Sequence, residues 1–300
     1  MKFIGEEGGI AEATRDLRAA VIDVVDFHAN ERATLSAEPS VGSRAGKDDL
    51  QAYQYVAIVG SPTKEARSLG VVQLSQAEEH IRAIDVVYGS TLSTVVADKV
   101  LVRSVLECCG RAFWLLTHEL STRERVARSL VERLNELRTS ARLVPVMADH
   151  FDAKIVDLTT EARSAGFTVG VGGWGSHTVD GIARPSQAEA LELVLGADNE
   201  GDHLSPGTLA QRYLSLAVHG NPAAMLLHRS RDEDLTELGG GMVLAPIEMR
   251  TTDAILVLRW CALAYMTAAN ANRMLMEWRN ERWTRVKFNY KGVSDRYVDE

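Results

Sequence analysis

Charged side chains recur at helical spacing within Val102–Trp114, a segment that is otherwise strongly apolar. Arg103, Glu107 and Arg111 follow one another at intervals of four residues. At about 100° per residue they share one narrow face of a helix, together with His118. Because an unpaired buried charge is costly, this stripe needs partners. It predicts either an internal ion network that fixes helix packing or a site for a ligand or phosphate.

A second polar stripe lies near the end of a later predicted helix. Arg212 and His219 are seven residues apart, so two turns place them on the same face, with Ser215 between them. Arginine offers a fixed positive fork to a phosphate, and histidine exchanges protons near neutral pH. Such a pair suits metal-independent RNA cleavage, in which His219 moves a proton and Arg212 stabilises the developing charge. Alternatively, His219 only caps the helix C-terminus before Gly220.

Two runs of the sequence resemble the HEPN superfamily of nucleotide-binding helical bundles. Arg212 and His219 are similar to its Arg-x(4–6)-His motif, within the run Tyr-x-Leu-Ser-x3-His, and Arg103–Glu107 reads Arg-Ser-x2-Glu. The resemblance implies an RNase of a stress or phage-defence system, and a homodimer with the motif at its interface. Active members usually carry a polar residue directly after the arginine, where this chain has Tyr213.

Two further segments match known binding motifs in sequence, but the secondary structure predicted around them does not fit those motifs. Gly170–Gly175 reads GxGxxG, yet no convincing helix follows it, as a dinucleotide site requires. We predict instead an irregular loop or small hairpin that carries Trp174 and His177 over a pocket. Glu200 and His203 have Glu-x-x-His spacing but lie in a predicted loop rather than on a helix. No metal site and no cofactor is predicted.

The C-terminal segment interleaves basic and aromatic residues. Its members are Arg273, Trp278, Arg279, Arg282, Trp283, Arg285, Lys287, Phe288 and Tyr290. Such aromatic rings can stack on nucleic-acid bases while the cations neutralise phosphates. Glu277 and Glu281 dilute the positive charge, and tryptophans at this spacing also pack into cores or dimer surfaces. Both interpretations stay open.

Composition limits the partners and the compartment. The formal net charge is −8 over 300 residues, so a nucleic acid would have to bind a local patch. Three cysteines lie in apolar runs without metal-ligand spacing, which predicts free buried thiols in a reducing compartment. The N-terminus lacks the apolar core of a signal peptide, and Arg259 interrupts the most apolar stretch, Ala254–Met266. We predict a cytoplasmic protein that does not enter a membrane.

Helix signals punctuate most of the chain. Ser75, Ser121 and Ser186 each precede a glutamate by three residues, which is the capping-box spacing, and Pro206 suits a first helical turn. Further helices are predicted over residues 11–36, 92–118, 142–165 and 252–285, with a loop over 36–49. We therefore predict one all-α helical bundle, in which residues 1–70 form an N-terminal helix and loop extension and residues 71–300 form the bundle.

The leading functional hypothesis is RNA or nucleotide binding, with endoribonuclease activity at Arg212 and His219. The predicted binding residues come from the two stripes: Arg103, Glu107, Arg111 and Ser215. A non-catalytic helical scaffold that self-associates is the first alternative, in which both stripes are structural. A small-molecule enzyme with a pocket under the glycine-rich segment is the second.

Overall fold

The computed structural model describes residues 7–35, 38–89, 97–196, 205–218, 236–239, 242–244, 251–278 and 281–296. These residues form helices α1 Glu7–Thr34, α2 Arg44–Gln51, α3 Pro62–Gly89, α4 Ala97–Leu116, α5 Thr122–Leu143, α6 Ala148–Ser164, α7 Gln187–Leu195, α8 Pro206–Val218, α9 Thr251–Met276 and α10 Glu281–Asp295. Strands β1 Val169–Val171, β2 His177–Val179 and β3 Ile182–Ala183 pair antiparallel in that order, and β4 Thr236–Gly239 pairs with β5 Met242–Leu244. The predicted all-α helical bundle is confirmed.

Two of the predicted capping boxes open helices. The Ser121 hydroxyl accepts a hydrogen bond from the backbone N–H of Glu124, whose carboxylate accepts from the backbone N–H of Ser121 at 2.8 Å. Ser186 and Glu189 repeat this exchange at the start of α7. Each cap satisfies backbone donors that no helical bond can reach and contributes about 1 kcal/mol. Pro206 is the first residue of α8, as predicted.

The third capping-box prediction, at Ser75, is wrong. Helix α3 begins at Pro62, and Ser75 lies in its middle, where its hydroxyl accepts a hydrogen bond from Arg32. A capping box acts only where the chain enters a helix from an extended conformation. Here Pro62 at the first position and Glu65 in the first turn start the helix instead. The helix runs through residue 70, where the predicted extension was to end.

Helix α2 begins inside the stretch that the sequence predicts as a loop and extends two residues beyond it. Ser43 caps it by accepting from the backbone N–H of Gly46 at 3.0 Å. A Cβ at Gly46 would lie 2.1 Å from the carbonyl oxygen of Ser40, so only glycine fits this first turn. The helix then directs Asp48 into the interior, where Arg125 donates to it at 2.7 Å. This ion pair fastens the N-terminal part of the chain to α5.

Two predicted helices are divided in the structure. The predicted helix over 142–165 is broken at Pro145, which cannot donate to a helical bond, so α5 ends at Leu143 and α6 starts at Ala148. The predicted helix over 252–285 stops at Met276, because Glu277 adopts a left-handed backbone with φ of 59°. This second break lets α10 turn back and pack against α1.

Helix α4 is the central helix of the bundle, as its apolar sequence predicts. It packs against α3, α7, α8 and α9. Glycines permit the closest approaches: a Cβ at Gly110 would lie 2.2 Å from the carbonyl oxygen of Ala190 on α7, and one at Gly70 of α3 would lie 2.5 Å from Leu116. Replacing Gly110 would therefore push α4 and α7 apart, and replacing Gly70 would displace the side chain of Leu116.

Helix α9 is long and apolar enough to cross a membrane by length and composition alone. Most of its apolar stretch is instead buried inside the bundle, where Tyr265 and Cys261 are fully enclosed. This is the packing of a core helix. All three cysteines are free, as predicted; Cys109 and Cys261 are buried, whereas Cys108 is partly exposed.

Candidate functional site

The charged stripe of α4 is tied to the start of α7. Arg103 donates to Glu107 at 3.0 Å and to the side-chain oxygen of Gln187 at 2.6 Å, and the Gln187 amide donates back to Glu107. Gln187 is the first residue of α7. The three half-buried side chains therefore satisfy one another and fix the angle between the two helices, as in the internal-network interpretation.

Arg111, on the same stripe, belongs to a second charged group. Glu132 of α5 is buried and pairs with Arg184, the residue after β3, at 2.8 Å. Burial raises the pKa of Glu132, and the positive charges of Arg184 and Arg111 oppose that shift. The stripe is thus divided between two groups of partners. A ligand-binding role for Arg103, Glu107 and Arg111 stays a prediction.

Helix α8 directs Arg212 away from the core. Leu214 and Ala210 form its buried face, Arg212 is exposed, and Ser215 is half-buried. His219 lies outside the described residues, so the joint orientation of Arg212 and His219 stays a prediction. In the part of the chain that the structure describes, no hydrogen bond or ion pair joins Arg212 or Ser215 to the α4 stripe.

The glycine-rich segment forms the small antiparallel sheet β1–β3, and strand β2 follows the GxGxxG run. Within the run only a short 3-10 turn forms, over Gly173–Gly175, and no α-helix begins there whose N-terminus could meet a phosphate. The sheet rests on α5: the backbone of His177 exchanges hydrogen bonds with the Asn135 side chain at 3.1 and 3.3 Å. Burial and the nearby charge of Arg138 lower the pKa of His177.

A groove of about 540 Å³ runs between the end of α4 and helices α9 and α10. We name it the α9–α10 groove. His118 and Glu119 line it from the turn after α4, and Lys287, Lys291 and Asp295 line it from α10. Its apolar and neutral walls include Phe113, Met266 and Asn270. This volume is in the range that accommodates a small organic ligand.

Helix α10 presents a basic outer face beside this groove. Trp283 and Tyr290 are buried, and Trp283 stacks on Phe27 of α1 with ring centroids 6.0 Å apart. On the other side of the helix, Phe288 is 74% exposed and lies three residues from both Arg285 and Lys291. The helix carries four basic and two acidic residues in a chain of net charge −8. It is therefore a local positive patch with an exposed aromatic ring.

A buried polar cluster in the core had no signal in the sequence. Arg32 of α1 binds Glu78 of α3 through both guanidinium nitrogens, at 2.5 and 2.8 Å. Tyr265 of α9 donates to the same carboxylate at 2.5 Å, and its oxygen lies 2.8 Å from Nδ1 of His28. Burial lowers the pKa of His28 to about 4. Burial opposes ionisation of Glu78, but the charge and hydrogen bonds of Arg32, together with the hydrogen bond from Tyr265 and the nearby ring of His28, lower its pKa to about 2.

The fold and the groove define an all-α helical-bundle protein with a basic helix on its surface. Comparison with protein-family models, curated proteins and solved structures finds no match to this chain.

Proposed function

We propose that this protein binds single-stranded RNA through α10 and the α9–α10 groove. The observation that carries the proposal is the exposed ring of Phe288 between Arg285 and Lys291 on α10, the helix whose Lys287 and Lys291 line the groove. The cations would contact phosphates while a base stacks on the ring. An acidic protein needs such a local patch to bind a polyanion.

The groove has a mixed charge, which shapes the proposed binding mode. Glu119 and Asp295 line it together with His118, Lys287 and Lys291. A phosphate would therefore lie toward the lysines on α10, and a base would enter the part lined by Phe113 and Met266. Carboxylates beside a phosphate path weaken affinity. They also favour the hydrogen-bonding edges of bases over a second phosphate.

Cleavage at Arg212 and His219, which the HEPN resemblance implies, is a separate part of the proposal. It is supported by the exposure of Arg212 on α8. Binding at α10 does not require it, so either part can fail without the other. We also propose a cytoplasmic location, with support from the three free cysteines.

The test is a fluorescence anisotropy titration of a labelled single-stranded RNA with wild type and with Lys287→Glu/Lys291→Glu. Lys47→Glu/Lys154→Glu, on α2 and α6, changes the charge of the chain by the same amount at two exposed lysines and is the matched control. We expect wild type and the control to bind alike, and the double variant to lose about tenfold or more in affinity. Equal binding by all three folded proteins would reject the proposal and favour the scaffold alternative. Equally tight binding of heparin and RNA would indicate a non-specific polyanion site.

A further inference from the structure

A second cavity, of about 300 Å³, lies between the end of α1, the first turns of α3 and the end of α9. Three basic side chains line it: Arg32, Lys64 and Arg67. Glu38 is the carboxylate among the residues that line it. The cavity therefore presents more positive than negative groups to its contents.

The two arginines are held in place by carboxylates that are not among the described residues lining the cavity. Arg67 donates to both oxygens of Asp49 at 2.7 Å, and Arg32 grips Glu78 in the same bidentate manner. Lys64 has a different environment: it pairs at 3.2 Å with Glu38, and the two side chains are 48% and 76% exposed. Exposed ion pairs of this kind contribute little free energy. Lys64 could therefore pair with an anion in the cavity instead of with Glu38, while Arg32 and Arg67 keep their present partners.

Asn272 supplies an independent observation. It lines the cavity, is only 2% exposed, and its side-chain amide nitrogen has no hydrogen-bond partner among the described residues. Leaving a buried donor unpaired is costly, and few native groups do so without a reason. An acceptor oxygen of a bound molecule would satisfy this nitrogen.

The remaining walls are apolar. Val71 of α3, Met276 of α9 and Trp278 line the cavity. Trp278 is fixed because its backbone oxygen accepts from Arg273 at 3.0 Å, directly after the left-handed residue Glu277. A ligand that matches this lining has an anionic oxygen at one end and a small hydrocarbon body at the other.

We propose that this cavity binds a small organic carboxylate. One carboxylate oxygen accepts from the Asn272 amide, the charge lies toward Lys64 and Arg67, and the hydrocarbon part packs on Val71 and Met276. The site is separate from the α9–α10 groove, so it does not depend on RNA binding. A phosphate monoester shares the anionic oxygens but carries more charge than this largely neutralised set of arginines favours.

The experiment is isothermal titration calorimetry on the full chain with benzoate, hexanoate, methyl phosphate and inorganic phosphate. We expect the carboxylates to bind and to raise Tm, and both phosphates to bind at least about fivefold more weakly. Asn272→Ala and Lys64→Ala should each weaken carboxylate binding about fivefold or more, while Lys154→Ala binds as wild type.

Two outcomes would overturn the proposal. One is that no carboxylate binds, or that binding is unchanged in both Asn272→Ala and Lys64→Ala. The other is tighter binding of a phosphate, which would assign the cavity to a different anion. If Asn272→Ala does not fold, Lys64→Ala decides alone, because its exposed side chain is not part of the core.

Discussion

Lys287 and Phe288 are neighbours in the chain, but helix α10 directs them to different surroundings. Lys287 lines the α9–α10 groove, whereas Phe288 is 74% exposed to solvent and is not one of the described residues that line the groove. Successive residues of a helix are rotated by about 100°, so a charge and a ring can face two sides of one bound strand. This relationship underlies the proposal that α10 contacts RNA phosphates and bases together.

The ring of Phe288 should contribute to affinity for RNA and not to stability. Phe288→Ala is expected to weaken binding of single-stranded RNA about fivefold or more, because base–aromatic stacking is worth about 1–3 kcal/mol per base. Heparin, which has no bases to stack, should bind unchanged. Tyr53→Ala removes another ring that is 80% exposed and is the control for general loss of surface aromatics. A similar loss for RNA and heparin would argue against stacking.

The acidic residues of the groove should oppose binding. Asp295→Asn and Glu119→Gln each remove a negative charge from the groove and keep the size of the side chain. We expect tighter RNA binding by both variants at low salt, with the difference shrinking at high salt because the interaction is screened. Anisotropy titrations at several salt concentrations measure this. An unchanged affinity at low salt would mean that the RNA does not approach the groove.

Catalysis would give a different pattern from binding. If Arg212 and His219 cleave RNA, wild type should degrade total RNA, and Arg212→Ala and His219→Ala should each abolish this while keeping α10-dependent binding. Lys287→Glu/Lys291→Glu should reduce cleavage only through weaker substrate binding. The readout is gel analysis of total RNA with folded protein. Cleavage retained in His219→Ala would remove this histidine from the mechanism.

Stability should fall on mild acidification because of His28. Its pKa is lowered to about 4 in the fold from an ordinary value of 6.5, so the unfolded chain takes up a proton first. Above pH 6.5 His28 is neutral in both states and does not affect the free energy of unfolding. As the pH falls from 6.5 towards 4, protonation of His28 in the unfolded chain lowers that free energy by about 3 kcal/mol. The lowered pKa of Glu78 reduces the free energy of unfolding further, but only as the pH falls from 4.5 to about 2.

Urea unfolding across that range measures the effect. His28→Gln should give a free energy of unfolding that changes less between pH 6.5 and 4.5 than that of wild type. Parallel curves for the two proteins would show that His28 does not bind the proton responsible.

The buried pair of Asp48 and Arg125 should be a major fastening of the N-terminal part of the chain. Arg125→Met leaves the Asp48 carboxylate buried without its main partner, and we expect a loss of about 3–5 kcal/mol in the free energy of unfolding. The matched control is Arg123→Met, whose pair with Asp180 is half-exposed and should cost about 1 kcal/mol or less. Similar losses in both variants would contradict this ranking.

The sequence predicts local features of this fold better than distant ones. Ser121 and Ser186 could be identified as caps because the whole signal lies within four residues. Ser75 has the same capping-box spacing to a glutamate, but it lies inside a helix that begins at Pro62. The spacing alone therefore predicts a helix start that does not occur. The break at Glu277 had no signal either, because a left-handed glutamate is set by how α10 packs on α1 rather than by its own preference.

For the candidate sites, too, the sequence shows local composition but not the contacts that depend on tertiary packing. The basic and aromatic composition of the C-terminal segment is visible in the sequence, but which residues face solvent is not. The cluster of His28, Glu78 and Tyr265 joins residues up to 237 positions apart, and each alone is an ordinary helical residue. Only tertiary packing brings such groups together, so no local pattern could have predicted them.

Ultraviolet crosslinking of bound RNA, followed by mass spectrometry of the tryptic peptides, tests the central claim most directly. Trypsin cuts after Lys287 and Lys291, so Phe288 and Tyr290 share one short peptide. We predict a uridine adduct on this peptide, and its loss in Phe288→Ala. RNA that is bound but crosslinks only to peptides outside α10 and the α9–α10 groove would contradict the account.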